Sequence, residues 1–140
     1  MDGDLVEPRN ESEATPAGNG TMADVEYGLT RRSILQRLHG GALQRQDVCD
    51  AHPELLRAAR NLGTPTGRAC PVCRQVDLVN ITYVFGRSLP RGGRCVSTEG
   101  ELEKLSGNGR SVTCYVVEVC TGCAWNHLVK AYWPGARAAG

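Results

Sequence analysis

Apolar side chains at Leu29, Ile34, Leu35 and Leu38 recur at close to helical spacing, and they predict a helix over residues 25–39. Gly40 and Gly41 are expected to end it, because glycine enters the left-handed conformation after a last turn without steric cost. Asp47 to Asp50 reads as a connector. A second helix is expected from His52 or Pro53, since proline suits the first helical position. Leu55, Ala58, Ala59 and Leu62 then fall on one face, and Gly63 and Pro65 stop the run.

The period changes after Cys70. Val79, Ile81, Tyr83 and Phe85 alternate within 77–86, which predicts a strand with one apolar face. Tyr115, Val117 and Val119 do the same within 112–119. Residues 87–111 are polar and glycine-rich and read as a surface excursion. It has room for one short helix, with Thr98 and Glu101 at capping-box spacing and Leu102 and Leu105 to dock it. Trp125, Leu128, Val129 and Tyr132 lie at i, i+3, i+4 and i+7, so a short C-terminal helix is expected, closed by Pro134.

Charge and composition set the ends apart. In residues 1–22, Asp2, Asp4, Glu7, Glu11 and Glu13 oppose Arg9 alone, a net charge of −4; the whole chain carries +1, so the remainder carries +5. With few large apolar residues, 1–22 cannot offset its ordering entropy and is expected to be a disordered acidic tail. The mildly basic remainder suits RNA, DNA or an acidic protein surface. No stretch approaches the roughly 20 apolar residues of a membrane span, and the acidic N-terminus lacks a secretory pattern. A cytoplasmic, reducing setting is therefore expected, where seven cysteines point to metal more than to disulfides.

The cysteines are patterned. Cys70-Pro71-Val72-Cys73 is followed after 46 residues by Cys120-Thr121-Gly122-Cys123. A CxxC turn directs two sulfurs at one point, and two such knuckles complete a tetrahedral thiolate site for Zn2+. Each pair adjoins an expected strand, giving the knuckle, strand, strand, knuckle order of a zinc ribbon. The separation exceeds the usual ribbon spacing of about 15–20 residues. Loop closure costs only about 0.6 kcal/mol per doubling of length, so the spacing does not forbid the site. Four thiolates close the shell, which makes the zinc structural and the protein non-enzymatic.

Two rival chemistries compete with this site. A thioredoxin-like dithiol needs one CxxC and leaves the second unexplained. His52-Pro53-Glu54 matches the His-x-Glu of zinc deaminases, whose second motif is Pro-Cys-x-x-Cys. Here Ala69 precedes Cys70, and Cys120 and Cys123 would stand idle, so the triplet reads better as a helix start. His127 is expected at the surface or behind the ligands. Cys114 reads as packed in a strand, and Cys49 as a connector cysteine, buried or exposed. Cys95, beside Arg91 and Arg94, is the best candidate for a reactive thiol, although an ordinary loop cysteine is the plainer account.

Arg31, Arg32, Arg37, Arg45, Arg57 and Arg60, within residues 25–62 that hold the two N-terminal helices and their connector, admit a helix-turn-helix-like nucleic-acid reader. The plainer account is a hairpin covering the ribbon with its arginines in water. Trp125 and Tyr132 are expected in the core, and Trp133 is the better candidate for exposure.

Several runs resemble, in order, a short actinobacterial family of unknown function. They are Val48-Cys49-Asp50-Ala51, Leu55-Leu56-Arg57-Ala58-Ala59, Cys70-Pro71-Val72-Cys73, Val84-Phe85-Gly86, Val116-Val117-Glu118-Val119-Cys120, and above all Cys120-Thr121-Gly122-Cys123-Ala124-Trp125-Asn126-His127-Leu128-Val129-Lys130. The resemblance covers residues 25–133 and implies a bacterial cytoplasmic protein with a metal-binding cysteine quartet.

The expected whole is α+β: a tail over 1–22, a helical hairpin over 23–66, a zinc-ribbon-like domain over 67–133 and a flexible end over 134–140. Its expected role is a non-enzymatic module docking on a protein or nucleoprotein partner such as transcription or translation machinery. Direct nucleic-acid binding and a cysteine-based redox sensor are the alternatives. No membrane and no small-molecule substrate is expected.

Overall fold

In the computed structural model, which describes residues 24–87, 89, 91, 93–96, 99–106 and 112–134, helices and strands are mixed in an α+β arrangement. In chain order the elements are β1 (Val25–Glu26), α1 (Gly28–His39), α2 (Arg45–Val48), α3 (Pro53–Leu62), β2 (Thr64–Ala69), β3 (Asp77–Gly86), β4 (Arg94–Val96), α4 (Glu99–Ser106), β5 (Val112–Val119) and β6 (Asn126–Tyr132). The expectations for 1–22, for Thr98 as a cap and for nearly all of 134–140 lie outside the described residues.

Two hairpins, β2–β3 and β5–β6, lie side by side in one antiparallel sheet of order β1-β6-β5-β3-β2. β3 and β5 are paired from Val79 opposite Val119 to Gly86 opposite Val112. Because β3 leaves one cysteine pair and β5 runs into the other, this register brings both pairs to the same end of the sheet. β2 covers the outer edge of β3 near that end, and β4 covers it further along, at Thr82 to Val84.

The sheet is buried on both faces. Ile81, Val117 and Val119 point to one face, where Leu55 and Ala59 of α3 and Ala51 pack on them. Leu78 and Val84 point to the other. There Leu78 joins Trp125, Val48, Cys70 and Cys120 under Ile34, Leu35 and Leu38 of α1. Val84 joins Val96, Val112 and Cys114, with Leu102 of α4 against them. Each large aliphatic side chain removed from water contributes roughly 1.5–3 kcal/mol. α1 and α3 therefore clasp the sheet from opposite sides, with α2 passing around the cysteine end.

Several expectations are corrected. The short C-terminal helix is the strand β6. The hairpin turn at Cys120–Cys123 lays it against β5, so the backbone groups of β5 find their partners there. Its register slips by one residue: Val116 faces Lys130 and Val117 faces Leu128, which leaves Val129 as an extra residue. Such a bulge puts Leu128 and Ala131 on the same face, three residues apart, and so imitates a helical period. β2 begins where Gly63 and Pro65 are expected only to stop a helix; Pro65 and Gly67 are tolerated in it because β2 is an exposed edge with an irregular register, where Gly67 takes φ +75°. Residues 25–26 form a strand on β6 before α1 begins, and Leu29 is exposed instead of joining the apolar stripe. The connector contains the one-turn helix α2. The glycine stop of α1 is as expected, with Gly41 at φ +91°. No helix among the described residues is long and apolar enough to cross a membrane.

Candidate metal centre

The two cysteine turns are built alike. In the first, Cys70 N–H donates to Val76 O at 2.9 Å and Arg74 N–H to Cys70 O at 3.1 Å. In the second, Cys120 N–H donates to Trp125 O at 2.9 Å and Ala124 N–H to Cys120 O at 3.0 Å. The residue after each second cysteine turns left-handed, Arg74 at φ 59° and Ala124 at φ 77°. That conformation is costly for a side-chain-bearing residue. It frees the backbone to curl its amides onto the sulfurs.

Those amides meet sulfur in both turns. Val72 and Cys73 N–H donate to Cys70 Sγ at 3.3 and 3.5 Å. Gly122 and Cys123 N–H donate to Cys120 Sγ, both at 3.3 Å, and Gln75 N–H donates to Cys73 Sγ at 3.4 Å. Such donors stabilise sulfur as an anion. Gly122 is required for a second reason: a β-carbon there would lie 2.7 Å from Val76 Cγ2 of the opposite turn. The turns interlock at that contact.

All four sulfurs lie within 4.8 Å of one another. Cys70 to Cys123 and Cys73 to Cys120, each a contact between turns, measure 3.7 Å. A tetrahedron with metal–sulfur bonds of about 2.3 Å has edges of about 3.8 Å. The quartet Cys70, Cys73, Cys120 and Cys123 could therefore hold a metal ion, two of its edges already at that length. Cys70 and Cys120 are buried, whereas Cys73 and Cys123 are half-buried. Gln75 N–H holds the Cys73 thiol down, at about 7. Burial pushes the Cys120 and Cys123 thiols up to about 12, a cost to the thiolates that a bound metal ion would offset.

Two further residues complete the surroundings: Cys49, which the sequence left as buried or exposed, and Glu118, to which it gave no role. Cys49, at the end of α2, donates its S–H to Cys123 Sγ at 3.4 Å, and the Arg45 guanidinium lies beside both sulfurs. Glu118, buried in β5, accepts from Trp125 Nε1 and from Arg31 Nε, both at 2.8 Å, with Arg68 at 3.8 Å. A lone carboxylate within an apolar strand is the signal that could have found it.

The remaining candidates fall outside the quartet. His127 is buried, not at the surface: it pairs across the strands with Glu118 and stacks on Trp125 at 6.0 Å. His52 caps α3, its Nδ1 accepting from Glu54 N–H at 3.0 Å, as a helix start requires. Cys114 is packed, and burial pushes its thiol up to about 11. Cys95 lies in β4 opposite Tyr83, where burial raises its thiol instead of activating it. Trp125 is buried as expected, and Trp133 packs against Tyr27 and Ala131.

The comparisons with known proteins agree with the expected family. The model for "Family of unknown function (DUF5318)" matches residues 20–140. An uncharacterized protein of Mycobacterium bovis and one of Mycobacterium tuberculosis are each 42% identical over 112 residues, covering 80% of this chain and 82% of the relative. No solved structure matches the chain. The chain therefore belongs to the DUF5318 family.

Proposed function

We propose that the quartet holds one Zn2+ as a structural staple and that the chain is a non-enzymatic zinc-ribbon module docking on a protein or nucleoprotein partner. The observation that carries this reading is the set of four sulfurs, two from each interlocked turn, at tetrahedral spacing. The backbone donors around three of the sulfurs suit a structural thiolate site. Four thiolates leave no position for water or substrate, which favours a staple over a catalyst. Transcription or translation machinery is the class of partner that rigid ribbon surfaces commonly meet, a fold-level analogy. A cytoplasmic setting follows from the need to keep the thiols reduced.

Direct nucleic-acid binding is the second reading, favoured by exposed Arg32, Arg37 and Arg60 on α1 and α3. It ranks lower because Arg31 is engaged with Glu118, Arg57 pairs with Glu54, and α1 and α3 lie on opposite faces. The test is capture of partners by the tagged full chain from its own cells at rising salt. A protein retained by wild type and lost with Cys120→Ser supports docking. Generic RNA or DNA whose binding falls steeply with salt supports the second reading. Neither would overturn both.

A further inference from the structure

Cys49 is a fifth thiol at the edge of the quartet, and three contacts hold its segment there. Ala51 N–H donates to Ala124 O at 3.0 Å, Asn126 Nδ2 donates to Asp50 Oδ1 at 3.0 Å, and Cys49 S–H points at Cys123 Sγ at 3.4 Å. All three land on residues 123–126, at the end of the second turn and the start of β6. Cys49, Cys73 and Cys123 are half-buried, whereas Cys70 and Cys120 are buried. Cys73 touches the buried Cys120, whereas Cys49 and Cys123 touch each other, so theirs is the contact between two sulfurs that are both within reach of a small solute in water.

The four quartet sulfurs suffice for a tetrahedral shell. Cys49 is left outside it, uncoordinated but in contact with one ligand. A disulfide requires the sulfurs to close from 3.4 Å to about 2.05 Å. Cys49 ends a four-residue helix and leads into a short irregular stretch, so a modest shift can supply that movement. Cys123 would leave the metal shell as it joins Cys49. Three ligands would remain, and the ion would lose its closed shell.

We propose that Cys49 and Cys123 form an oxidation site that couples peroxide to release of the metal, an inference that rests on the zinc reading above. The oxidant is hydrogen peroxide or an organic hydroperoxide. Cys49 Sγ attacks one peroxide oxygen, the O–O bond breaks, and the thiol proton departs with the leaving oxygen as water or alcohol. Cys49 is then a sulfenic acid. Cys123 thiolate attacks its sulfur, the S–O bond breaks and hydroxide leaves. Two sulfurs have each lost one electron, and one peroxide has gained two. A dithiol reductant restores both thiols and the site.

The test treats the reduced, zinc-loaded full chain with one equivalent of hydrogen peroxide. Zinc release is followed with a chromogenic chelator, and disulfides are mapped by non-reducing peptide mass spectrometry. The expected first product is the Cys49–Cys123 disulfide, with one zinc freed per disulfide. Cys49→Ser and Cys49→Ala should bind zinc as wild type does before treatment and release it at least five-fold more slowly during it. A first disulfide of Cys70–Cys73 or Cys120–Cys123 would overturn the inference, as would wild-type release rates in both variants. The mapping uses wild type alone, so it decides the matter even if a variant folds poorly. Absence of zinc from the untreated wild type would instead overturn the zinc reading itself.

Discussion

Trp125 Nε1 donates to Glu118 Oε2 at 2.8 Å, which ties the residue two past the last cysteine of the second turn to the residue two before its first. Arg31 Nε reaches the same oxygen from α1, so one buried carboxylate fastens a helix, a strand and a metal turn. Removing one partner of a buried charged pair typically costs about 3–5 kcal/mol, because the others lose their compensation. Glu118→Ala should lower stability by that order in denaturant unfolding, and Glu118→Gln by less, since an amide oxygen can still accept from Trp125. A double-mutant cycle with Arg31→Ala should give a coupling well above the noise between distant sites. Additive losses would show that the contact contributes nothing specific.

The backbone of the turns makes a prediction of opposite signs. Arg74 and Ala124 occupy left-handed φ without being glycine. That conformation costs roughly 1–2 kcal/mol, against roughly 0.5–1 kcal/mol for the greater freedom of an unfolded glycine. Arg74→Gly and Ala124→Gly should each raise stability by a few tenths to about 1 kcal/mol. Gly122→Ala should lower it by roughly 1–3 kcal/mol, because the new carbon overlaps Val76. Val76→Ala in the same chain should recover part of that loss. Melting curves of the five proteins, the double variant included, test the interlocking of the turns.

His127 makes stability pH-dependent. Burial lowers its pKa, and Arg31 adds to this, while the Tyr27 carbonyl and the Glu118 carboxylate oppose it. The unfolded chain binds this proton near pH 6.5 and the folded chain only at lower pH. The unfolded state therefore holds more protons in that window, so stability is full above about pH 6.5 and falls as the pH drops through the folded value. His127→Gln should flatten the profile between pH 7 and 5. The difference in slope should reach at most about 1.4 kcal/mol per pH unit. Parallel urea-unfolding profiles for the two proteins would contradict the assignment.

The site was more legible than the sheet. Spacing alone identified Cys70, Cys73, Cys120 and Cys123, because CxxC geometry is local and β3 and β5 announced themselves by alternation. The alternation of Val79, Ile81, Tyr83 and Phe85 correctly marked one apolar face, but it concealed that Leu78 and Val84 face a second core. β2 and β6 were missed for different reasons. β2 is an edge made of residues that usually break structure, and β6 carries an extra residue that mimics helical spacing. Cys49 meets Cys123, 74 residues away in sequence, and Glu118 meets Arg31, 87 residues away, as well as Trp125, so neither role follows from the cysteine spacing or the strand alternation.

The quartet is expected to bind one zinc ion that holds the two turns together. Structural zinc contributes on the order of 10 kcal/mol of apparent binding free energy, comparable to a small domain's whole net stability. The most direct measurement is metal content per chain after purification under reducing conditions, by elemental mass spectrometry, for wild type, Cys70→Ser, Cys120→Ser, Cys95→Ser and Cys114→Ser. The expected result is one zinc per chain in wild type, Cys95→Ser and Cys114→Ser, and almost none in Cys70→Ser and Cys120→Ser. A wild-type protein without zinc, or Cys120→Ser with a full complement, would contradict it.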